Sequence, residues 1–465
     1  MFLFPLIYIF SFAYAIRLLL KKQIKGVLFF IITGLPIYIH VQSITYMYGF
    51  EKPVFVLQTF KEICIILGLF MVLFDMSRKP KLHLVDKLIA AFFFTSLLYL
   101  IIPVGPYDFS TRLVAFKALS IFPIIYFTGR FCRADTINLK EIFSYVCIVT
   151  IVAAVIVVIE TVTYQHFHTK TGFTDFMIHF YQGEMTGNYG LIWTFETESG
   201  LKRFGSIFSS PLELASAAIL SLAVVLALST TTRNRINYSG FNVISFIASL
   251  LCVTLAVSRA SFVNYFIVIY IYAHLSKNKT LVSIFHYGFI CAVIYVAFLL
   301  EGDMYDFIIT TLNFQNASSA GHVIEWISGI NGMAQHPLGM GLGTSGKIAM
   351  TSDDHIGGEN QLIIIGVQVG IPALIMYAWA YVSMITSGLR ALKTAVGKKK
   401  KLIMCVVLFK IGLIIPLITS YLDIFIYLMY TTYFLSGLMI NMIMNTPERE
   451  ETADIEPAGP VIAIQ

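Results

Sequence analysis

Apolar windows long enough to cross a bilayer recur along almost the whole chain, and no other feature restricts the fold as strongly. A membrane-crossing helix needs about 20 predominantly apolar residues. Such windows fall near 3–20, 27–48, 54–76, 85–103, 112–129, 141–163, 206–229, 239–257, 260–275, 281–300, 360–386, 402–421 and 423–445. The hydrophobic fraction of 57%, the charged fraction of 12% and a mean hydropathy of +0.80 over 465 residues exclude a water-soluble enzyme. The two-residue alternation of an outer-membrane barrel is missing, so the spans are expected to be helical. The expectation is an all-α polytopic membrane protein with about 12–13 transmembrane helices. A single membrane domain would cover 1–446, followed by a disordered tail over 447–465 that is acidic and carries Pro457, Gly459 and Pro460.

Basic side chains number 32 and acidic ones 26, and their placement matters more than the net charge of +6. Lys21, Lys22 and Lys25; Arg78, Lys79 and Lys81; Arg130 and Arg133; Arg233 and Arg235; Lys277 and Lys279; and Arg390, Lys393 and the run 398–401 fall on alternate loops. Those loops are therefore expected in the cytoplasm. The N-terminus, with its charges after the apolar run, is read as a retained first span outside. The acidic tail lies inside, and two long loops, 164–205 and 302–359, face outward. The modest excess of basic charge gives no reason to expect nucleic acid. The 6 cysteines are scattered and lack metal or disulfide spacing, so they are expected to be small core residues.

Cations on the outward side break the orientation rule, and burying an arginine costs about 3 kcal/mol even on lenient insertion scales. Arg112 opens the fifth window, Lys117 lies one to two turns deeper, Arg203 precedes the seventh, and Arg259 stands between the eighth and ninth with almost no loop around it. The segment Phe204-Gly205-Ser206-Ile207-Phe208-Ser209-Ser210-Pro211 suggests a broken helix start with free backbone amides. Converging arginines there could hold a pyrophosphate bidentately. The plainer alternatives are snorkelling to lipid phosphates or pairing with Glu213.

In the second outer loop, apolar residues at 323, 326, 327, 330 and 333 give helical spacing, so this segment is expected to lie on the membrane or cap the bundle. The glycine-rich stretch 335–346 follows; it would allow close backbone approach to a ligand but is no phosphate loop. Glu359 then stands where the eleventh window starts. Its plain role is to complement a helix dipole; beside outward arginines it has the parts of a general base, with His322 as the competing base or an orienting partner. Trp193 and Trp326 are candidate glycan-stacking rings or interfacial anchors. Lys61 and Glu62, being adjacent, point about 100° apart on a helix and are expected to pair with other helices rather than with each other. Lys410 is expected to be a structural interhelical donor.

Taken together, Gln58-Thr59-Phe60-Lys61-Glu62, Arg203-Phe204-Gly205-Ser206-Ile207-Phe208, Ser258-Arg259-Ala260, His336-Pro337-Leu338-Gly339-Met340-Gly341-Leu342-Gly343 and Glu359-Asn360-Gln361-Leu362 with Gly366 and Gly370 resemble the O-antigen ligase and polysaccharide polymerase superfamily of bacterial inner-membrane proteins, which includes the Wzy-type polymerases. The resemblance implies a GT-C-like, multi-span glycosyltransferase. Its substrates would be undecaprenyl-pyrophosphate-linked oligosaccharides at the outer face of the bacterial cytoplasmic membrane, used without nucleotide sugar, cofactor or catalytic metal. Ligases of this superfamily typically carry histidine where this chain has Glu359, which tilts the expectation toward polymerisation of lipid-linked repeat units into O-antigen, capsule or exopolysaccharide. Arg203 and Arg259, assisted by Arg112 and Lys117, would stabilise the departing pyrophosphate, and Glu359 or His322 would take the acceptor proton. A glycan ligase and a lipid-linked oligosaccharide transporter are the alternatives. A chain-length regulator and a flippase are the candidate protein partners.

Overall fold

The computed structural model of the chain describes residues 2–75, 80–183, 185–230, 239–298, 317–346 and 356–445. The acidic tail, Asp353, Asp354 and His355 lie outside them. The described residues form helices and no strand element, with one isolated bridge between Glu196 and Lys202. In chain order the helices are α1 (Leu3–Leu20), α2 (Lys25–Thr33), α3 (Tyr38–Met47), α4 (Glu51–Phe74), α5 (Leu84–Ile101), α6 (Phe109–Phe131), α7 (Leu139–Thr163), α8 (Phe167–Lys170), α9 (Phe173–Tyr181) and α10 (Pro211–Ser229). They continue as α11 (Gly240–Leu255), α12 (Arg259–Leu275), α13 (Lys279–Phe298), α14 (Ala317–Gln335), α15 (Gln361–Val369), α16 (Ile371–Leu392), α17 (Gly397–Gly412), α18 (Ile414–Thr419) and α19 (Ile426–Asn445).

Among the described residues, 10 helices, counting α2–α3 and α17–α18 as single runs, are long and apolar enough to cross a membrane. The chain is a multi-pass membrane protein. Three further windows fold as α11, α12 and α13. The window 360–386 is not one helix, as expected from hydropathy, but two. Gly370 at φ +91 separates α15 from α16, and Pro372 in the first turn of α16 cannot donate into a continuous ladder. Hydropathy sums over a window and is blind to a left-handed glycine. Glu359 therefore precedes a short nine-residue helix rather than a membrane span.

α10 and α19 are the most enclosed spans, each with 89% of its apolar window buried. α19 crosses α6 so closely that a Cβ on Gly437 would collide with the Tyr126 carbonyl, and one on Gly129 with that of Phe434. Small residues at such a seam let two backbones meet where no hydrophobic force drives helices together. Near the end of α6, Arg130 donates from Nε to both oxygens of Asp86 at 3.1 Å and from Nη2 to the Lys81 carbonyl at 2.8 Å. Tyr126 donates to Asp86 Oδ1 at 2.6 Å. Every oxygen of this fully enclosed carboxylate thus has a donor, which is the condition under which a buried pair is tolerable.

Further polar groups inside spans are matched locally. Lys61 Nζ lies 2.8 Å from Glu62 Oε1 and donates to Tyr38 Oη at 2.7 Å. The neighbours do neutralise each other, contrary to the expectation from helical angle, because a lysine stem is long enough to bend across the intervening arc. Lys410 sits 3.9 Å from the centre of the Tyr433 ring and 4.8 Å from that of Tyr381, a buried cation held against aromatic faces. Five cysteines are buried, as expected, and Cys291 is exposed.

Candidate functional site

The described residues of the loop 164–210, the α11–α12 turn, α14 and the segment 356–370 are brought near one another through Arg203, Arg259, His322 and Glu359. The loop 164–210 is a folded cap with its own small core of Phe173, Leu191 and Phe195. Glu160, at the end of α7, accepts from Phe167 N at 2.7 Å and Ser206 N at 2.9 Å, tying both ends of the cap to one carboxylate. His40 bridges Thr171 Oγ1 and the Ser206 carbonyl, both at 3.1 Å, and His168 Nε2 donates to the Phe208 carbonyl at 2.8 Å. Ser206 takes φ +53 at the break before α10. Ser210 caps that helix, and Glu213 accepts from Ser209 Oγ at 2.6 Å. The helix start expected from Gly205–Pro211 is therefore a braced turn, and Glu213 serves it.

Arg203 leaves the cap from a strand-like stretch, its N donating to the Phe195 carbonyl at 2.8 Å. Its guanidinium is half-buried, and Nε has no hydrogen-bond partner among the described residues. Burial, and next the charge of Arg259, oppose its protonated state. Arg259, exposed in the first turn of α12 after Ser258, is thus within electrostatic reach of Arg203. The Glu198 carboxylate acts the other way and favours the charged form of Arg203. Lys202, beside Arg203, is committed elsewhere: Nζ donates to the Tyr164 carbonyl at 2.8 Å and lies 4.2 and 4.4 Å from the Tyr164 and Tyr189 ring centres.

α14 supplies the other half. His322 Nδ1 lies 2.8 Å from Glu359 Oε2, so the two candidate bases, expected to compete, form one ion pair. The hydrogen bond to Glu359 raises the His322 pKa above the ordinary imidazole value, burial opposes that, and the Arg259 charge also lowers it. Arg259 is therefore near both Arg203 and His322. Three residues on, Glu325 Oε2 accepts from Gly358 N at 2.8 Å and fixes the loop segment that carries Glu359. Trp326 stacks on His322 with ring centres 6.4 Å apart, and its Nε1 has no partner. α14 turns Met333 inward against α15, while Ile324, Ile327 and Ile330 form an exposed apolar stripe.

The glycine-rich stretch serves the protein's own backbone. A Cβ at Gly339 would meet Gly370 N, and one at Gly341 the Val104 carbonyl. Gln368 closes the turn, accepting from Gly343 N and donating to the Ser345 carbonyl, both at 2.9 Å. The expected close approach is chain against chain, wrapping the break at Gly370.

The remaining candidates lie apart. Arg112 is buried at the start of α6, where Nη1 donates to the Leu100 carbonyl at 2.8 Å and closes the end of α5, while Nε has no partner. Lys117 pairs with Glu62 at 3.0 Å, joining Lys61 in an intramembrane triad. Trp193 is exposed on a 3-10 turn of the cap. Sequence reasoning missed Glu160, Glu325, Gln361 and Asp423. The signal was present as carboxylates and amides at the edges of apolar windows, where they look like ordinary caps.

A family model described as O-antigen ligase matches residues 244–378. That stretch runs from α11 into α16 and contains Arg259, His322, Glu325, Trp326 and Glu359. The match supports the O-antigen ligase and polysaccharide polymerase superfamily, whose members process glycans. No curated protein matches the chain.

Proposed function

We propose that the protein polymerises lipid-linked oligosaccharide repeat units at the outer face of a bacterial cytoplasmic membrane, with the growing chain on undecaprenyl pyrophosphate as donor and a sugar hydroxyl of a new unit as acceptor. The observation that carries this reading is the His322–Glu359 pair beside Arg259 and Arg203. With Nδ1 facing the Glu359 carboxylate at 2.8 Å, the Nε2 lone pair of His322 accepts the acceptor hydroxyl proton. The acceptor oxygen attacks C1 of the donor sugar as the bond from C1 to the pyrophosphate oxygen breaks. The electron pair leaves on pyrophosphate, where the two guanidiniums stabilise it. One displacement inverts the anomeric centre. Trp326 offers a face for a sugar next to the base.

Glutamate in place of the ligase histidine favours a polymerase. The description of the matched family favours the second reading, a ligase with the same donor and another acceptor. The test is reconstituted protein with the lipid-linked repeat unit as sole substrate, a chelator present and no nucleotide sugar. The expected product is a glycan ladder, lost in Arg203→Ala, Arg259→Ala and His322→Gln variants that still fold. Absence of a ladder from a lipid pool that crude membranes elongate overturns the reading.

A further inference from the structure

Glu359 is held between two clamps. On its upstream side Glu325 takes Gly358 N. Downstream, two residues on, the fully buried Gln361 makes a two-point contact with Asp423: Gln361 Nε2 donates to Asp423 Oδ2 at 2.6 Å, and Asp423 N donates to Gln361 Oε1 at 3.1 Å. Only an amide can donate and accept at once in this way. Asn360 stands between, its Oδ1 accepting from Leu362 N and Ile363 N at 2.9 and 3.2 Å, so the start of α15 is fixed in direction as well as place.

Asp423 lies on the 3-10 turn Leu422–Ile424 directly before α19, one of the two most enclosed spans. Burial pushes the Asp423 carboxyl up to about 7, with the Gln361 hydrogen bond and then the charge of Lys410 in α17 working against that rise. The clamp thus refers a loop residue at the site to the rigid centre of the bundle, across 62 residues of sequence. A short helix bounded by Gly357 at φ +62 and Gly370 at φ +91 has little local stiffness of its own.

We infer that Asp423 is a positioning residue for the proton-accepting pair, acting through Gln361 to hold Glu359 against His322. The inference deepens the proposed function and rests on it only for its consequence in turnover. The charged groups that act on His322 are Glu359, Glu325 and Arg259, and of these Glu359 is the one two residues from the clamp.

The test uses full-length protein in lipid nanodiscs and needs no substrate for its first readout. Diethyl pyrocarbonate modifies neutral imidazole, and the rate at His322, followed by peptide mass spectrometry across pH, gives its titration midpoint. Gln361→Met keeps the volume and removes both hydrogen bonds. It is expected to lower the midpoint toward the ordinary imidazole value and to cut kcat about 10- to 100-fold, since small misplacement of a reacting group costs that much, with KM little changed. Asp423→Asn retains an acceptor for Gln361 and is expected to keep both. Asp423→Ala leaves the main-chain bond from Asp423 N to Gln361, so combined with Gln361→Met it is expected to be no worse than Gln361→Met alone. If Asp423→Ala fails to fold, Gln361→Met decides alone. A midpoint unmoved in folded Gln361→Met overturns the inference, even if the melting temperature drops. A moved midpoint with full turnover supports the positioning and overturns the role of His322 as base.

Discussion

Replacing Glu359 by glutamine removes one charge and almost no volume, so it isolates what the carboxylate does for His322. At 2.8 Å with water-like screening, Coulomb's law gives about 1.5 kcal/mol for the charged pair. The side chains are 52% and 27% exposed, so screening and side-chain entropy discount the pair to about 1 kcal/mol. The sign follows from the raised imidazole pKa. The pair stabilises the fold fully below the unfolded imidazole value of about 6.5, and that contribution is lost as pH rises through the higher folded value. In the proposed mechanism the base is the neutral imidazole, so turnover is expected to rise with pH through the same folded pKa. In Glu359→Gln the acidic limb of the kcat profile should move to lower pH. On its plateau kcat should fall about 10-fold, because glutamine still accepts from Nδ1–H but no longer stabilises the imidazolium formed in the step. The assay is chain extension by reconstituted protein across pH, with melting followed in parallel at the ends of the range. An acidic limb that stays where it is in the folded variant refutes the coupling between the two residues. A limb that moves to higher pH refutes its sign.

Three other outcomes follow from the same geometry. Arg203→Lys keeps a charge but loses the planar fork, and is expected to lower kcat/KM about 10-fold or more, the cost of one charge-assisted hydrogen bond, with no change in melting temperature. Asp86→Ala strands the Arg130 guanidinium in the bundle and should cost about 3–5 kcal/mol, read as aggregation on size-exclusion chromatography or a large drop in melting temperature. Gly437→Val drives a side chain into the Tyr126 carbonyl and should cost about 3 kcal/mol from overpacking, whereas Ser436→Ala beside it should be close to neutral.

The spans were legible because membrane insertion acts on summed hydropathy, which a sequence displays directly. Arg203 and Arg259 were legible for the complementary reason, a charge where orientation disfavours one. The His322–Glu359 contact was not, because each residue taken alone has an adequate local role and only the fold puts α14 beside the start of α15. Gly370 was misjudged for a backbone reason, and the pairing of Lys61 with Glu62 for a side-chain one: angle on a helix constrains Cβ, not a flexible four-carbon stem. Asp423 and Gln361 were hidden by distance, since nothing local marks an amide and a carboxylate as partners across 62 residues.

The most direct test of the account is stoichiometric. Reconstituted protein is given only a pyrophosphate-linked repeat unit, and new glycosidic bonds and released polyprenyl pyrophosphate are counted by mass spectrometry in the same reaction. The account predicts one pyrophosphate lipid released for each bond formed, with the new linkage inverted relative to the donor, and neither product in Arg259→Ala. Pyrophosphate lipid released without new bonds, or bonds formed with retention at C1, would contradict it.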